Sequence, residues 1–174
     1  TVAVNGTMAC RWPKNKIINN NKISAGDVIV GLASYGKASY ETAYNSGIGS
    51  NGLTSARHEV LSKFYAQNIK ERFDNSLSDD VVYIGKHKMT DMVSDSKLNI
   101  GQLLLSPTRT YAPVLKVLLQ DHFDKIHGLI HCSGGGQTKC LKYLPGNFKI
   151  IKHNLFEPPE VFKIIQQNSG SSNK

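Results

Sequence analysis

Apolar positions recur along this chain in two rhythms, a short run or alternation and a three-to-four residue stripe, and the two predict different elements. Val2, Val4, Met8 and Cys10 fall at even spacing, predicting a half-buried strand interrupted near Gly6. Lys14 to Lys22 is a polar connection, and Ser24–Asp27 a turn into Val28–Ala33, whose continuous apolar run predicts a strand covered on both faces. Ser34 to Gly52 has neither period; it is a long loop carrying Tyr35, Tyr40 and Tyr44, and loops of such length are often functional. Leu53, Ala56, Val60, Leu61 and Phe64 then form a helical stripe, with Ser50 or Asn51 as its expected N-cap.

Asn68 to Gly101 is mostly polar and predicts no definite element. In Gln102 to Tyr111 an apolar run stops at Pro107, and a second helix follows with Val114, Leu115, Leu118 and Leu119 as its buried stripe and Pro113 in its first turn. Gly128 to Cys132 predicts another strand, which passes through Gly134, Gly135 and Gly136 into a helix carrying Gln137, Leu141 and Leu144. Phe148 to Lys152 predicts a strand near a sheet edge. Pro158 and Pro159 open a last helix with Val161, Phe162 and Ile165, and Ser169 to Lys174 is a polar tail.

The triple glycine is the first candidate for chemistry. Glycines let a ligand approach the backbone, and the first N–H groups of a helix carry the positive end of its dipole, a combination that suits a phosphate. A tight turn without a ligand is the competing reading, and the spacing matches neither the dinucleotide fingerprint nor the P-loop. Composition adds that 21 Lys and Arg against 13 Asp and Glu favour an anionic partner. At 174 residues the expectation is one domain. Three irregularly spaced cysteines, no leader and no long apolar run point to a reducing cytoplasm rather than to secretion or a membrane.

Other constellations carry less. His127 and His131, on one face of a strand, would stand about 13 Å apart, too far to share zinc, so no metal site is expected. Cys132 lies beside the turn without an evident base, Asp79 and Asp80 sit in an unpatterned segment, and the lysines are too scattered for a nucleic-acid module.

The segments GDVIVGLAS, GSNGLTSAR, LLLSPTRTYAPVLK and GLIHCSGGG, in that order, strongly resemble the phosphoribosylformylglycinamidine cyclo-ligases, the aminoimidazole ribonucleotide synthetases of purine biosynthesis. The likeness runs from about Val2 to about Gln167 and is to their carboxy-terminal domain. It implies an α+β fold, a mixed β-sheet with packed helices truncated at its C-terminal end, and residues 1–174 as a single domain without the amino-terminal ATP-binding domain. In such enzymes the formyl oxygen of formylglycinamidine ribonucleotide takes a phosphoryl group from ATP, an internal nitrogen closes the imidazole ring, and ADP and phosphate leave. The implied cofactor is ATP with Mg2+, bound mainly by the absent domain, which also builds a homodimer.

The resemblance also implies site residues. Asn51 is the catalytic candidate; Ser50, Gly52, Thr108, Arg109, Ser133, Gly134, Gly135, Gly136 and Gln137 are the substrate and phosphate candidates, with Arg109 offering a forked cation and the glycine turn its N–H groups. The phosphate-bearing substrate is expected between the turns at Asn51, Arg109 and Gly134–Gly136. Two departures stand out. Lys37 to Ile48 is an insertion, and Gly49 occupies the place of the family histidine, for which Tyr35, Tyr40, Tyr44 and His58 are the candidate substitutes. Without the ATP-binding domain, the isolated chain is expected to be inactive. The alternatives are superfamily relatives that make formylglycinamidine ribonucleotide, selenophosphate, thiamine diphosphate or a hydrogenase maturation factor, and, from another class, a basic module binding RNA or protein.

Overall fold

The structure is a computed structural model describing residues 4–69, 72–93 and 97–170. Among the described residues five α-helices order it: α1 Leu53–Val60, α2 Phe64–Asn68, α3 Ile100–Leu104, α4 Ala112–Asp121 and α5 Glu160–Ser169. Short 3-10 helices occupy Lys14–Lys16, Phe123–Lys125 and Gly136–Tyr143. The chain divides into two compact units, one of Leu32–Arg109 with Phe156–Lys174, the other of Val2–Gly31 with Thr110–Leu155.

The first unit holds the core. Ala56 and Val60 on α1, Leu61, Tyr65, Val82, Tyr83, Ile100, Leu103, Leu104, Val161 and Ile164 are all buried. The α1 stripe ends earlier than its pattern predicts, because Leu61 leaves the helix as an extended C-cap and Phe64 restarts it as α2. Residues Ile84–His87 lace onto the end of α1: Ile84 N donates to His58 O, Gly85 N to Leu61 O and His87 N to Val60 O, at 2.8, 3.0 and 3.1 Å. Only glycine can sit at 85, since a Cβ there would lie 2.2 Å from the Val60 carbonyl oxygen. The polar stretch from Asn68 to Gly101 thus contributes Val82, Tyr83 and Ile100 to the fully buried core. It ends in α3, whose capping box pairs the Asn99 side chain with Gln102 N and the Gln102 side chain with Asn99 N.

In the second unit α4 forms where its stripe predicts, with Pro113 in the first turn, but Val114, Leu115, Leu118 and Leu119 are only half-buried. The Ser24–Asp27 turn is present: Asp27 N donates to Ser24 O, and Gly26 takes φ +94°. Asp27 accepts from Ser24 N at 2.9 Å and meets His127 Nδ1 at 2.8 Å. Those contacts, the Ser24 amide first, hold its carboxyl below the usual range.

The mixed β-sheet expected of this chain is corrected. Among the described residues there is no β-strand, only five isolated bridges, such as the antiparallel pair Gly36 with Asn45. Val28 and Val30, expected inside a sheet, are 85% and 78% exposed. Residues 128–132 and 148–152 form no strand either, and Val4 and Met8 stand in solvent; Val2 lies outside the described residues. A helical stripe contains its own hydrogen-bond partners four residues away, whereas a strand exists only through a neighbouring segment in register. These runs have the composition of strands and no ladder to enter.

Candidate functional site

The N-cap expectation at α1 is also corrected, since Gly52 is the cap, at φ +80°, and no side chain caps the helix. Ser50 accepts from Leu53 N through its carbonyl, so the turn is closed by backbone, with Ser50 and Asn51 exposed. Gly49 takes φ +60°, and a Cβ there would come within 3.3 Å of Thr108 Oγ1. The Ser-Asn-Gly turn and the Pro-Thr-Arg segment are therefore adjacent, and the position of the family histidine is one where a side chain would be strained and crowded.

The insertion is a folded element. Gly36 and Asn45 exchange both backbone hydrogen bonds at 2.9 Å. Asn45 Nδ2 donates to Pro107 O at 2.7 Å, Ser46 Oγ to Leu103 O at 2.7 Å, and Ser46 N to Ser106 Oγ at 3.1 Å. Asn45, Ser46 and Ile48 are buried by these contacts. Tyr35 meets Phe156 edge-on at 6.2 Å, while Tyr40 and Tyr44 remain exposed.

Arg109 closes this loop. Nε and Nη2 bind the two Glu41 carboxylate oxygens at 2.8 and 2.6 Å; Nη1 donates to Ala33 O and Tyr35 O, and Nη2 also to Gly36 O. A guanidinium has five N–H donors, and these five bonds engage all of them inside the unit. The Arg109 side chain is 7% exposed. Its hydrogen bonds, followed by that from Ala38 N, hold the Glu41 carboxyl below its ordinary value. In this structure the fork grips a loop rather than facing an open cleft. Glu41 was missed by motif reading, although it is the sole carboxylate between Ser34 and Gly52.

His58 is enclosed as well. Its Nδ1 accepts from Tyr83 N at 3.3 Å, and its ring lies 4.7 Å from that of Tyr83. An imidazolium could not accept there, so the neutral form is the one that fits. Burial first, and the Arg57 charge second, push its pKa below 6.5. It serves the core and does not stand where a ligand could meet it.

The second unit carries Ser133 to Gln137. Gly136 N donates to Ser133 O at 3.0 Å, and Gly135, at φ +84°, is the N-cap of the 3-10 helix Gly136–Tyr143. Thr138 closes the turn with N and Oγ1 both bonded to Gly135 O. A Cβ on Gly134 or Gly136 would meet nothing within 4 Å, so the space above the turn is open rather than filled by apolar packing. Lys152 Nζ bonds Gln137 through both its backbone and side-chain oxygens. The Lys152 ammonium thus stands beside a turn whose glycines are exposed. A hollow of this unit, about 380 Å³ and lined by Trp12, Lys16, Ile17, Ile18, Leu119 and Leu129, includes none of the expected site residues. Among the described residues no three His, Cys, Asp or Glu gather as a metal site, and no helix is long and apolar enough to cross a membrane.

No protein-family model matches the chain. Similarity to individual proteins is extensive. Over 156 residues it is 31% identical to the phosphoribosylformylglycinamidine cyclo-ligase of Pseudothermotoga lettingae, covering 88% of this chain and 35% of that protein. Most of this chain is similar to part of a cyclo-ligase. The protein of the same name from Geotalea daltonii is 30% identical over 160 residues, covering 91% and 36%, and that from Methanocaldococcus jannaschii 34% over 162 residues, covering 93% and 37%. The chain thus spans little more than a third of the length of the cyclo-ligases it matches.

Proposed function

We propose that this chain is the carboxy-terminal part of an ATP-dependent cyclo-ligase that converts formylglycinamidine ribonucleotide to aminoimidazole ribonucleotide. The observation that carries the reading is similarity across nine-tenths of the chain to proteins bearing that name. Within this reading the turn from Ser133 to Gln137 receives phosphate oxygens through its N–H groups, with Lys152 supplying a nearby positive charge. Asn51, exposed on a backbone-closed turn beside Thr108, orients the reacting end of the substrate, and Ser50 and Gly52 shape that turn. Arg109 acts as a positioning residue: its five bonds fix the loop that ends in Ser50–Gly52. ATP and Mg2+ belong mainly to the amino-terminal domain, and the full-length protein is a cytoplasmic homodimer.

The test uses the full-length protein that contains this chain. It should form aminoimidazole ribonucleotide from formylglycinamidine ribonucleotide and ATP, and Gly135→Ala, which strains the turn at φ +84°, should raise KM for the nucleotide about tenfold or more. The isolated chain should not turn over. Stabilisation of the protein by selenide or thiamine monophosphate, and not by the purine precursor, would transfer the reading to another member of the superfamily. Steeply salt-dependent polyanion binding that persists in Gly135→Ala would point instead to a basic binding module.

A further inference from the structure

The three cysteines of this chain are not equivalent. Cys10 is exposed in an irregular segment. Cys132 and Cys140 flank the glycine turn and face one another, with their sulfurs 3.9 Å apart. Cys132 is exposed and Cys140 partly so, which leaves the pair within reach of a small reagent. The Lys152 ammonium lies 4.0 Å from the Cys140 sulfur and is itself tethered to Gln137, inside the segment that the two cysteines bracket. A fixed cation next to a sulfur offsets the negative charge that thiol exchange places there. Burial and the neighbouring Cys140 thiol push the Cys132 thiol up, and Lys152 and Lys139 oppose that shift.

We infer that Cys132 and Cys140 form a redox-active dithiol, a site of reversible modification by small-molecule disulfides such as oxidised glutathione, whose closure staples the glycine turn. One thiolate attacks a sulfur of the small disulfide, forming a mixed disulfide and releasing one reduced thiol. The second thiolate attacks the protein sulfur of that mixed disulfide, forming the Cys132–Cys140 bond and expelling the other reduced thiol. The protein loses two electrons and two protons, and both reside on the two thiols released. The cross-link encloses Ser133 to Lys139, the residues whose positive φ angles at Gly135 and Gly136 give the turn its shape. Oxidation therefore acts on the backbone amides proposed above to receive an anion, although the dithiol does not depend on that assignment.

The test treats the reduced chain with oxidised glutathione, blocks remaining thiols by alkylation and digests with trypsin. Cleavage after Lys125, Lys139 and Lys142 separates the two cysteines, so the bond reads as peptide 126–139 joined to peptide 140–142. The expected result is a mass loss of about 2 Da, with two of the three thiols lost to alkylation. Cys10→Ser should leave this unchanged, and amide hydrogen exchange of Ser133–Lys139 should slow in the oxidised protein. If Cys132 and Cys140 both stay alkylatable, carry only glutathione, or bond to Cys10, the inference is overturned.

Discussion

One unit of this molecule buries every residue of its hydrophobic core, and the other, among its described residues, buries none. The first is held by apolar packing under α1, α3 and α5 and by side chains turned onto backbone, so its polar groups are largely committed. Arg109, His58, Asn45 and Ser46 all do structural work there. The second is held by turns and half-buried helix faces, and its glycine turn stays open to solvent. The difference teaches that a motif side chain in a packed unit tends to be claimed by the scaffold, as Arg109 is, whereas a motif on an open unit keeps its exposure.

The contrast breaks first at the core. Leu103→Ala removes a side chain that is 1% exposed and should destabilise the first unit by about 2–5 kcal/mol in denaturant unfolding. Leu129→Ala, at a 42% exposed position of the second unit, should change stability by less than about 1 kcal/mol. Equal costs would mean that the second unit has a core of its own. Gly85→Ala comes next. Its Cβ would collide with backbone carbonyls of Glu59 and Val60 rather than with a flexible side chain, so relief requires the lacing at the end of α1 to move. A loss of about 1–3 kcal/mol is expected in thermal unfolding.

The same contrast explains how much could be read from the residues alone. The helices α1, α4 and α5 were legible because a stripe at helical spacing reports a local structure. The strands were not, since Val28–Ala33 specifies a preference for burial but not the neighbour that would supply it. Helix α3 straddles the end of the polar stretch and the start of the apolar run at Gln102, where too few residues remain for a stripe, although Asn99 and Gln102 stand at capping-box spacing and could have announced it. At the site, the Ser-Asn-Gly, Pro-Thr-Arg and triple-glycine motifs were visible as motifs. Which side chains they leave uncommitted was not, because Glu41 lies 68 residues from Arg109 and only folding brings them together.

A smaller effect should follow from pH. His58 has its pKa lowered in the folded protein, so its contribution is fully present above the ordinary value of 6.5 and is lost as pH falls through the lowered one. Protonation must break the bond from Tyr83 N, worth about 1 kcal/mol. Unfolding measured from about pH 8 to about pH 5 should show the first unit weakening, and His58→Phe should flatten that slope. A slope unchanged in the variant would place the titration elsewhere.

The smallest global effect, and the sharpest local one, concerns the Arg109 fork. Arg109→Lys keeps the charge but replaces a planar five-donor group with a point cation that cannot span two carboxylate oxygens and three carbonyls. Hydrogen exchange at Ala38, whose amide also binds Glu41, should rise in that variant while the amides of α1 keep their protection. Acid should do the same to the unsubstituted protein. The Glu41 carboxyl is held below 4.5, so its grip on the loop is complete above that value and fails as pH falls through the lowered one. Glu41→Gln, which retains one acceptor oxygen and loses the charge, should expose the loop at every pH and leave no such acid transition. If the loop exchanges equally in Arg109→Lys and the unsubstituted protein, its order comes from the Asn45 and Ser46 pins rather than from the fork.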